Sequence, residues 1–281
     1  MKNNVTIIET KAFDGCGELK KVTFSKKIKK FGSYAFANTM VERITLGKDL
    51  KEISSTVFQG DSNIKKITVD KKNPYMTAHD NAIYSKDGKT LINGMGVNKT
   101  ITIPDKVTKI KSGAFAGNMD LDGIIIGKGV KALPSNCFAD SGLEYIKLPK
   151  GLKTIGRNCF KNCQAFWKIK IPDSVTKIQS GAFYGCALEQ LTIPKSVKTI
   201  ETDALHCAVK KLIFEGTTPP KIKKQSEITY DEIRGDEDGE LKNDYRGLDL
   251  CVDKLIVPKR AMGSYRKVLK KKLEYNTIKG N

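Results

Sequence analysis

Residues 143–163 read LEYIKLPKGLKTIGRNCFKNC, and this stretch decides the fold because close variants of it recur along the chain. It joins two apolar patterns, L-x-x-I-x-L-P at 143–149 and L-x-x-I-x-x-x-C-F at 152–160. Neither pattern has the length or the period of an ordinary helix. The stretch therefore indicates one short unit of a repeat.

The second pattern ends in a small residue followed by a large apolar one, and this pair occurs eight times. The distances between successive large residues are 23, 22, 57, 23, 22, 23 and 22 residues. A fixed period of this length is typical of a solenoid. The pairs are Ala12-Phe13, Ala35-Phe36, Val57-Phe58, Ala114-Phe115, Cys137-Phe138, Cys159-Phe160, Ala182-Phe183 and Ala204-Leu205.

The first pattern predicts a short strand, since its last two apolar residues are spaced i, i+2 and would share one buried face. The following proline ends that strand. The second pattern predicts a brief second strand and a turn that places the Phe in the core. We expect a right-handed leucine-rich solenoid of nine or ten rows, about 45 Å of stacked sheet, with little helix outside a C-terminal cap.

The combined pattern resembles the BspA-like leucine-rich repeat family, a bacterial type with repeats of about 23 residues. The match covers roughly residues 5–215 and recurs near the end. The resemblance implies a surface or secreted adhesin that binds host extracellular proteins or other cells. It also implies that the first strands form the concave sheet, where position three and position five of L-x-x-I-x-L face solvent.

We interpret residues 1–281 as a single solenoid interrupted twice. A hairpin insert with a turn at Asp87-Gly88 explains the 57-residue step. The expected segments are repeats at about 5–69 and 98–216, the hairpin insert at about 70–92, an acidic insertion at about 217–250, and a closing strand and cap at about 251–281.

The chain is basic, with 50 Lys and Arg against 31 Asp and Glu and a net charge of +19. Residues 227–240 hold seven acids and one Arg, so their charge is −6 and the rest of the chain carries +25. Such a charge favours anionic partners. A lysine-coated soluble surface without an anionic ligand explains the same composition.

No apolar run approaches the ~20 residues of a spanning helix, so membrane insertion is not expected. We expect an extracellular or cell-surface location, with the export signal missing from this sequence. A cytoplasmic location is the alternative. Seven cysteines at repeat-related positions fit free, buried thiols better than a disulfide framework.

The strongest candidate binding site is a basic and aromatic patch on the first strands. Tyr145 and Lys147 belong to one row, and Lys168 and Lys170 belong to the next. Rows lie about 4.8 Å apart, so these cations are neighbours. Arg43 and Lys66 occupy position three in earlier rows and complete the predicted site. A solvated basic face is the alternative interpretation.

A second set of lysines follows the second strands, and we call it the lysine ladder. It has no interleaved aromatic residues, which disfavours nucleic acid as a partner. Solubility explains the ladder, and an acidic glycan or another polyanion is the alternative ligand. Its members are Lys29, Lys30, Lys51, Lys109, Lys131, Lys153, Lys177 and Lys198.

No enzyme signature is present, so we predict no catalytic residues, no metal site and no cofactor. The expected function is non-enzymatic protein interaction, with a host extracellular or cell-surface protein as partner. An intracellular protein–protein scaffold is the alternative. Neither insert contains residues that support an enzyme.

Overall fold

The computed structural model describes residues 4–61, 63–96, 99–223, 252–269 and 278–280. It is a β-solenoid of about ten turns with almost no helix in that part of the chain, which confirms the expected fold class. Each turn of the solenoid, called a row, combines a first strand, a shorter second strand and a turn that carries the Phe.

The first strands are β3 (Arg43–Leu46), β5 (Lys66–Val69), β9 (Lys99–Thr102), β11 (Leu121–Ile125), β13 (Tyr145–Lys147), β15 (Lys168–Lys170), β17 (Ala187–Ile193), β19 (Ala208–Phe214), β21 (Val252–Val257) and β22 (Ile278–Gly280). The second strands are β1 (Ile7–Ile8), β2 (Lys30–Phe31), β4 (Glu52–Ile53), β10 (Lys109–Ile110), β12 (Ala132–Leu133), β14 (Thr154–Ile155), β16 (Lys177–Ile178), β18 (Thr199–Ile200) and β20 (Lys221–Ile222). The row that begins at Leu19 has no regular first strand.

Most strands of adjacent rows pair in parallel, so equivalent residues stack on one another. In β13 and β15 the central isoleucine is buried and its two neighbours are exposed. This alternation is the strand period expected from the sequence. Each row is too thin to enclose its own apolar side chains, and stacking the rows buries them.

The core of the later rows is a column of parallel phenylalanine rings. Phe138 is fully buried and stacks on Phe115 at 5.3 Å and on Phe160 at 5.6 Å between ring centroids. Phe183 continues the column, 5.4 Å from Phe160. The rings touch because the row repeat matches the distance at which aromatic rings stack in parallel.

Most turns place the backbone in the left-handed conformation on both sides of the Phe, although the turn of Phe58 does so only after it, at Gly60. Around Phe183 these residues are Gly181 (φ +63°) and Gly185 (φ +69°), and around Phe160 they are Asn158 (φ +51°) and Asn162 (φ +56°). Glycine and asparagine tolerate this conformation best. The requirement explains the G-A-F-x-G and N-C-F-x-N sequences.

The hairpin insert forms three antiparallel strands that separate two cores. The strands are β6 (Met76–His79), β7 (Ala82–Ser85) and β8 (Thr90–Asn93). In β7, Ile83 packs into the core of the first rows, whereas Ala82 and Tyr84 pack into the core of the later rows. Because alternate side chains of a strand point to opposite faces, one strand closes both cores.

The insert has one more turn than the sequence indicated. Besides the Asp87-Gly88 turn, a tight turn at Asp80-Asn81, both with positive φ, joins β6 to β7. The Asn81 side-chain amide donates to the Lys65 carbonyl (2.9 Å) and accepts from the Ile67 N–H (3.3 Å). This side chain satisfies backbone groups at the edge of β5, where the next first strand would otherwise pair.

The position three residues after the Phe carries, in three later rows, a small side chain that donates to a carbonyl. The Cys163 and Cys186 thiols donate to the carbonyls of Phe138 and Phe160 in the preceding rows, both at 2.9 Å. Ser141 donates to the same Phe138 carbonyl at 2.7 Å. Cysteine suits this position because it is small, mostly apolar and still a weak donor.

The C-terminal helix covers part of the last rows. It is α1 (Met262–Leu269), and it follows a short 3-10 helix, Lys259–Ala261. Tyr265 is buried against Phe214, and its hydroxyl donates to the Gly216 carbonyl at 2.9 Å. Most of the expected acidic insertion, residues 224–250, lies outside the described residues.

We predict that Phe138→Ala lowers the free energy of unfolding by about 3–5 kcal/mol, because it removes a fully buried ring that stacks on two others. Urea unfolding followed by circular dichroism measures the loss. Phe13→Ala is the matched control, since Phe13 is only partly buried and stacks on Phe36 alone among the described rings. Equal losses for both variants would contradict the ring column as the main source of stability.

We also predict that five of the cysteines resist alkylation in the native protein. Burial raises the pKa of Cys163 and Cys207 to about 12, and that of Cys137, Cys159 and Cys186 well above the usual value. At pH 8 a thiol of pKa 12 is ionised to only about 1 part in 10⁴. Peptide mass spectrometry after iodoacetamide treatment should show fast labelling of the exposed Cys16 and labelling of these five only in urea.

Candidate functional site

The strand register places the predicted binding residues on the exposed face of the first strands. Tyr145 pairs with Gly123, and Lys168 pairs with Gln190, so position three of each row lies in one column. Lys147 and Lys170 lie in the column of position five, beside Ile125 and Thr192. The columns are those that the spacing of L-x-x-I-x-L predicts.

Tyr145 is held in place by two earlier rows. Its ring lies over Gly123, where an added Cβ would come within 2.1 Å of the ring carbon Cζ. The Tyr145 hydroxyl is 2.9 Å from the Thr100 hydroxyl. The absence of a side chain at Gly123 therefore provides the space for the ring, which remains 44% exposed. The result is a fixed aromatic surface across three rows.

Three exposed lysines extend this surface. Within the described residues, Lys147, Lys168 and Lys170 form no ion pair with a carboxylate. The residue before position three is acidic in three nearby rows, as Asp122, Glu144 and Glu189, and Glu189 forms an ion pair with Lys210. The patch is thus a group of available ammonium ions bordered by carboxylates on one side.

Trp167 lies where the hydrogen-bonded sheet is interrupted. β13 pairs with β11 and β15 pairs with β17, but no backbone hydrogen bond joins β13 to β15 in this fully described part of the chain. Trp167 immediately precedes β15 and is 66% exposed. It is the largest exposed apolar side chain near Tyr145 in sequence, and its exposure offers a contact surface to a partner.

Arg43 and Lys66 do not join the Tyr145 patch. They pair with each other in the two-stranded sheet β3–β5, which the insert separates from β9. Lys66 and Tyr145 are separated by three row steps and the insert, so the distance between them along the solenoid is about 20 Å. The two residues form a separate basic site next to the Lys65–Glu42 ion pair (2.9 Å).

The lysine ladder consists of two adjacent columns. Backbone hydrogen bonds align Lys29 with Lys51 and Lys131 with Lys153, whereas Lys30 and Lys177 occupy the next column, at the first residue of their strands. Lys30 pairs with Glu52 at 3.1 Å and Lys177 pairs with Glu201 at 2.6 Å. Part of the ladder is therefore neutralised by neighbouring rows.

The described residues contain no group of three or more His, Cys, Asp or Glu side chains suited to hold a metal ion. The six described cysteines are free thiols, and Cys251 lies outside the described residues. In the part of the chain that the structure describes, no helix has the length and apolar character needed to cross a membrane.

The family follows from a comparison with repeat models. The BspA type leucine rich repeat region matches residues 1–92 and 93–210 in six copies. The chain belongs to this family. The expected resemblance is confirmed, and the matched residues include both sides of the insert. No curated protein sequence matches the chain.

Two solved structures have the same fold. The pneumococcal vaccine antigen PcpA superposes with a TM-score of 0.76 at 24% identity, over 99% of this chain and 66% of that one. A leucine rich cell surface protein from Faecalibacterium prausnitzii gives a TM-score of 0.63 at 24% identity, over 71% of this chain and 54% of that one. This BspA-type chain therefore spans 66% and 54% of the lengths of the two structures.

We predict that the ratio of iodide to caesium quenching is higher for Trp167 than for free N-acetyltryptophanamide, because nearby ammonium groups attract the anion. Trp167 is the sole tryptophan of the chain, so the signal reports this patch alone. The triple variant Lys147→Glu/Lys168→Glu/Lys170→Glu should lower this ratio. The matched control, Lys109→Glu/Lys131→Glu/Lys153→Glu, changes net charge equally on the second-strand side and should preserve it.

Proposed function

We propose that this chain is a non-enzymatic protein-interaction module of a secreted or cell-surface protein. It binds an acidic region of a protein partner on the first-strand sheet, around Tyr145, Lys147, Lys168 and Lys170. The observation that carries the proposal is the fixed Tyr145 ring beside three exposed lysines that lack carboxylate partners among the described residues.

The composition of this surface favours a protein over a uniform polyanion. Protein interfaces combine aromatic anchors with charges of both signs. Here Tyr145 and Trp167 supply exposed aromatic area, and Asp122 and Glu144 precede position three in the rows of Gly123 and Tyr145. A polyanion would be repelled by those carboxylates, whereas a protein can place a basic side chain opposite them.

The proposed location rests on the related structures. One is described as a vaccine antigen and the other as a cell surface protein. Surface display would present a long solenoid face to other cells or to host proteins. An intracellular scaffold with the same binding surface is the competing proposal, and proteolysis of intact cells distinguishes the two. A surface protein is cleaved without lysis, whereas a cytoplasmic scaffold is protected.

We predict that the Lys147→Glu/Lys168→Glu/Lys170→Glu variant loses at least tenfold in affinity for the partner, since three attractive contacts become repulsive. Binding is measured by surface plasmon resonance against immobilised extracellular-matrix proteins and by adherence to epithelial cells. Wild-type binding should weaken from low to physiological salt, as the Debye length falls to about 8 Å.

The Lys109→Glu/Lys131→Glu/Lys153→Glu variant is the control and should bind like wild type. Equal losses in both variants would mean that only net charge matters. Full binding by both variants would remove the site. Gly123→Ala provides a test without a charge change, because its methyl group displaces the Tyr145 ring and should weaken binding.

A further inference from the structure

A second surface, formed by the turns that carry the phenylalanines, contains a cleft that is independent of the first-strand site. The cleft has a volume of about 410 Å³ and spans three successive rows. Such a volume is within the range of small-molecule sites. Its lining residues are Arg157, Asn158, Lys161, Ser180, Gly181, Tyr184, Thr202 and Asp203.

The repeat itself shows that this cleft is unusual. The residue three positions before the large apolar residue is Arg157 in the row of Phe160, and it is serine or threonine in the seven other rows. Arg157 is exposed, and its side chain forms no ion pair within the described residues. The seven equivalents are Thr10, Ser33, Ser55, Ser112, Ser135, Ser180 and Thr202.

The residue directly after the large apolar residue also changes in character from the row of Phe160 onward. It is Asp14, Ala37, Gln59, Ala116 and Ala139 in the first five rows. In the next three rows it is Lys161, Tyr184 and His206. Arg157, Lys161 and Tyr184 line the cleft, and the buried His206 lies beneath Tyr184.

The Lys161, Tyr184 and His206 side chains form an ordered stack. Tyr184 lies parallel to the buried His206 ring, with centroids 4.4 Å apart and an interplanar angle of 3°. The Lys161 ammonium lies 5.7 Å from the centre of the Tyr184 ring. A cation held on an aromatic ring loses less conformational freedom when it binds an anion. The stack therefore places one ammonium ion at the wall of the cleft in advance.

The next two rows give the cleft different chemistry at its other end. Ser180 and Thr202 occupy the repeat position of Arg157, and Asp203 adds a carboxylate one residue further on. The Ser180 hydroxyl donates to the Glu201 carboxylate at 3.3 Å, so its oxygen is left to accept a hydrogen bond. A carboxylate accepts hydrogen bonds from hydroxyl groups and repels a second negative charge. A ligand that suits both ends has a single negative charge at one end and hydroxyl donors at the other.

We propose that this cleft binds an acidic sugar, with the ligand carboxylate on Arg157 and Lys161 and the sugar hydroxyls on Ser180, Thr202 and Asp203. A guanidinium group binds a carboxylate through two parallel hydrogen bonds, which fixes its orientation. The Asp203 carboxylate at the hydroxyl end disfavours a phosphate dianion by charge repulsion. The site lies on a different face from the protein-binding patch and does not depend on that proposed function.

The test uses saturation-transfer NMR on the full chain with D-glucuronate, D-galacturonate and N-acetylneuraminate. D-glucose, glucose 6-phosphate and N-acetylglutamate amide are the comparison probes. We expect at least one acidic sugar to bind more tightly than all three comparison probes. Arg157→Ser should weaken that binding about tenfold or more, since it removes a charge-assisted contact.

The substitutions introduce residue types that the turns tolerate, so the variants should keep the fold. Arg157→Ser restores the serine of other rows, Lys161→Ala restores their alanine, and Asp203→Asn keeps a residue that tolerates positive φ. Arg43→Ser removes the same charge outside the cleft and should leave sugar binding unchanged. Asp203→Asn should raise the affinity for glucose 6-phosphate. Circular dichroism melting curves verify folding.

Several results would overturn the proposal. Absence of binding by every acidic sugar removes the site. Equal binding by Arg157→Ser and wild type places the sugar elsewhere. Tighter binding of glucose 6-phosphate indicates a phosphate site, and tighter binding of N-acetylglutamate amide indicates an acidic peptide site.

Discussion

Everything in this structure depends on the stacking of one row on the next. A row alone leaves its Phe and its isoleucines exposed, whereas two neighbours bury them completely, as for Phe138 between Phe115 and Phe160. The same stacking aligns exposed residues in columns. Stability and surface chemistry therefore have one origin, and each exposed column can change without disturbing the core.

The repeat period was sufficient to predict the fold and the columns of the first strands from the sequence. The pairing of Gly123 with Tyr145 and of Lys168 with Gln190 follows directly from L-x-x-I-x-L. The position of the Tyr145 ring over Gly123 could not be predicted, because it depends on a side-chain rotamer and on the space left by a glycine in another row. The repeat period predicts which residues of adjacent strands pair, but it does not predict the contacts between their side chains.

The departures from the repeat were harder to interpret than the repeat. Lys66 and Arg43 share a column with Tyr145 in the sequence alignment, yet the insert places them in a separate sheet. Arg157 is one charge among many in a basic chain, so its charge alone does not distinguish it. Its column does, since its equivalents in the other rows are all hydroxyl residues.

The insert also determines how the solenoid carries mechanical load. Where rows pair in parallel, tension along the axis is shared by backbone hydrogen bonds in both strand columns. At the insert, β7 and its alternating side chains Ile83 and Tyr84 link the two cores instead. Rows peeled from the N-terminal end would therefore meet at β7 a strand whose side chains belong to both cores. In a chain pulled along its axis, the insert would couple the two cores through side-chain packing.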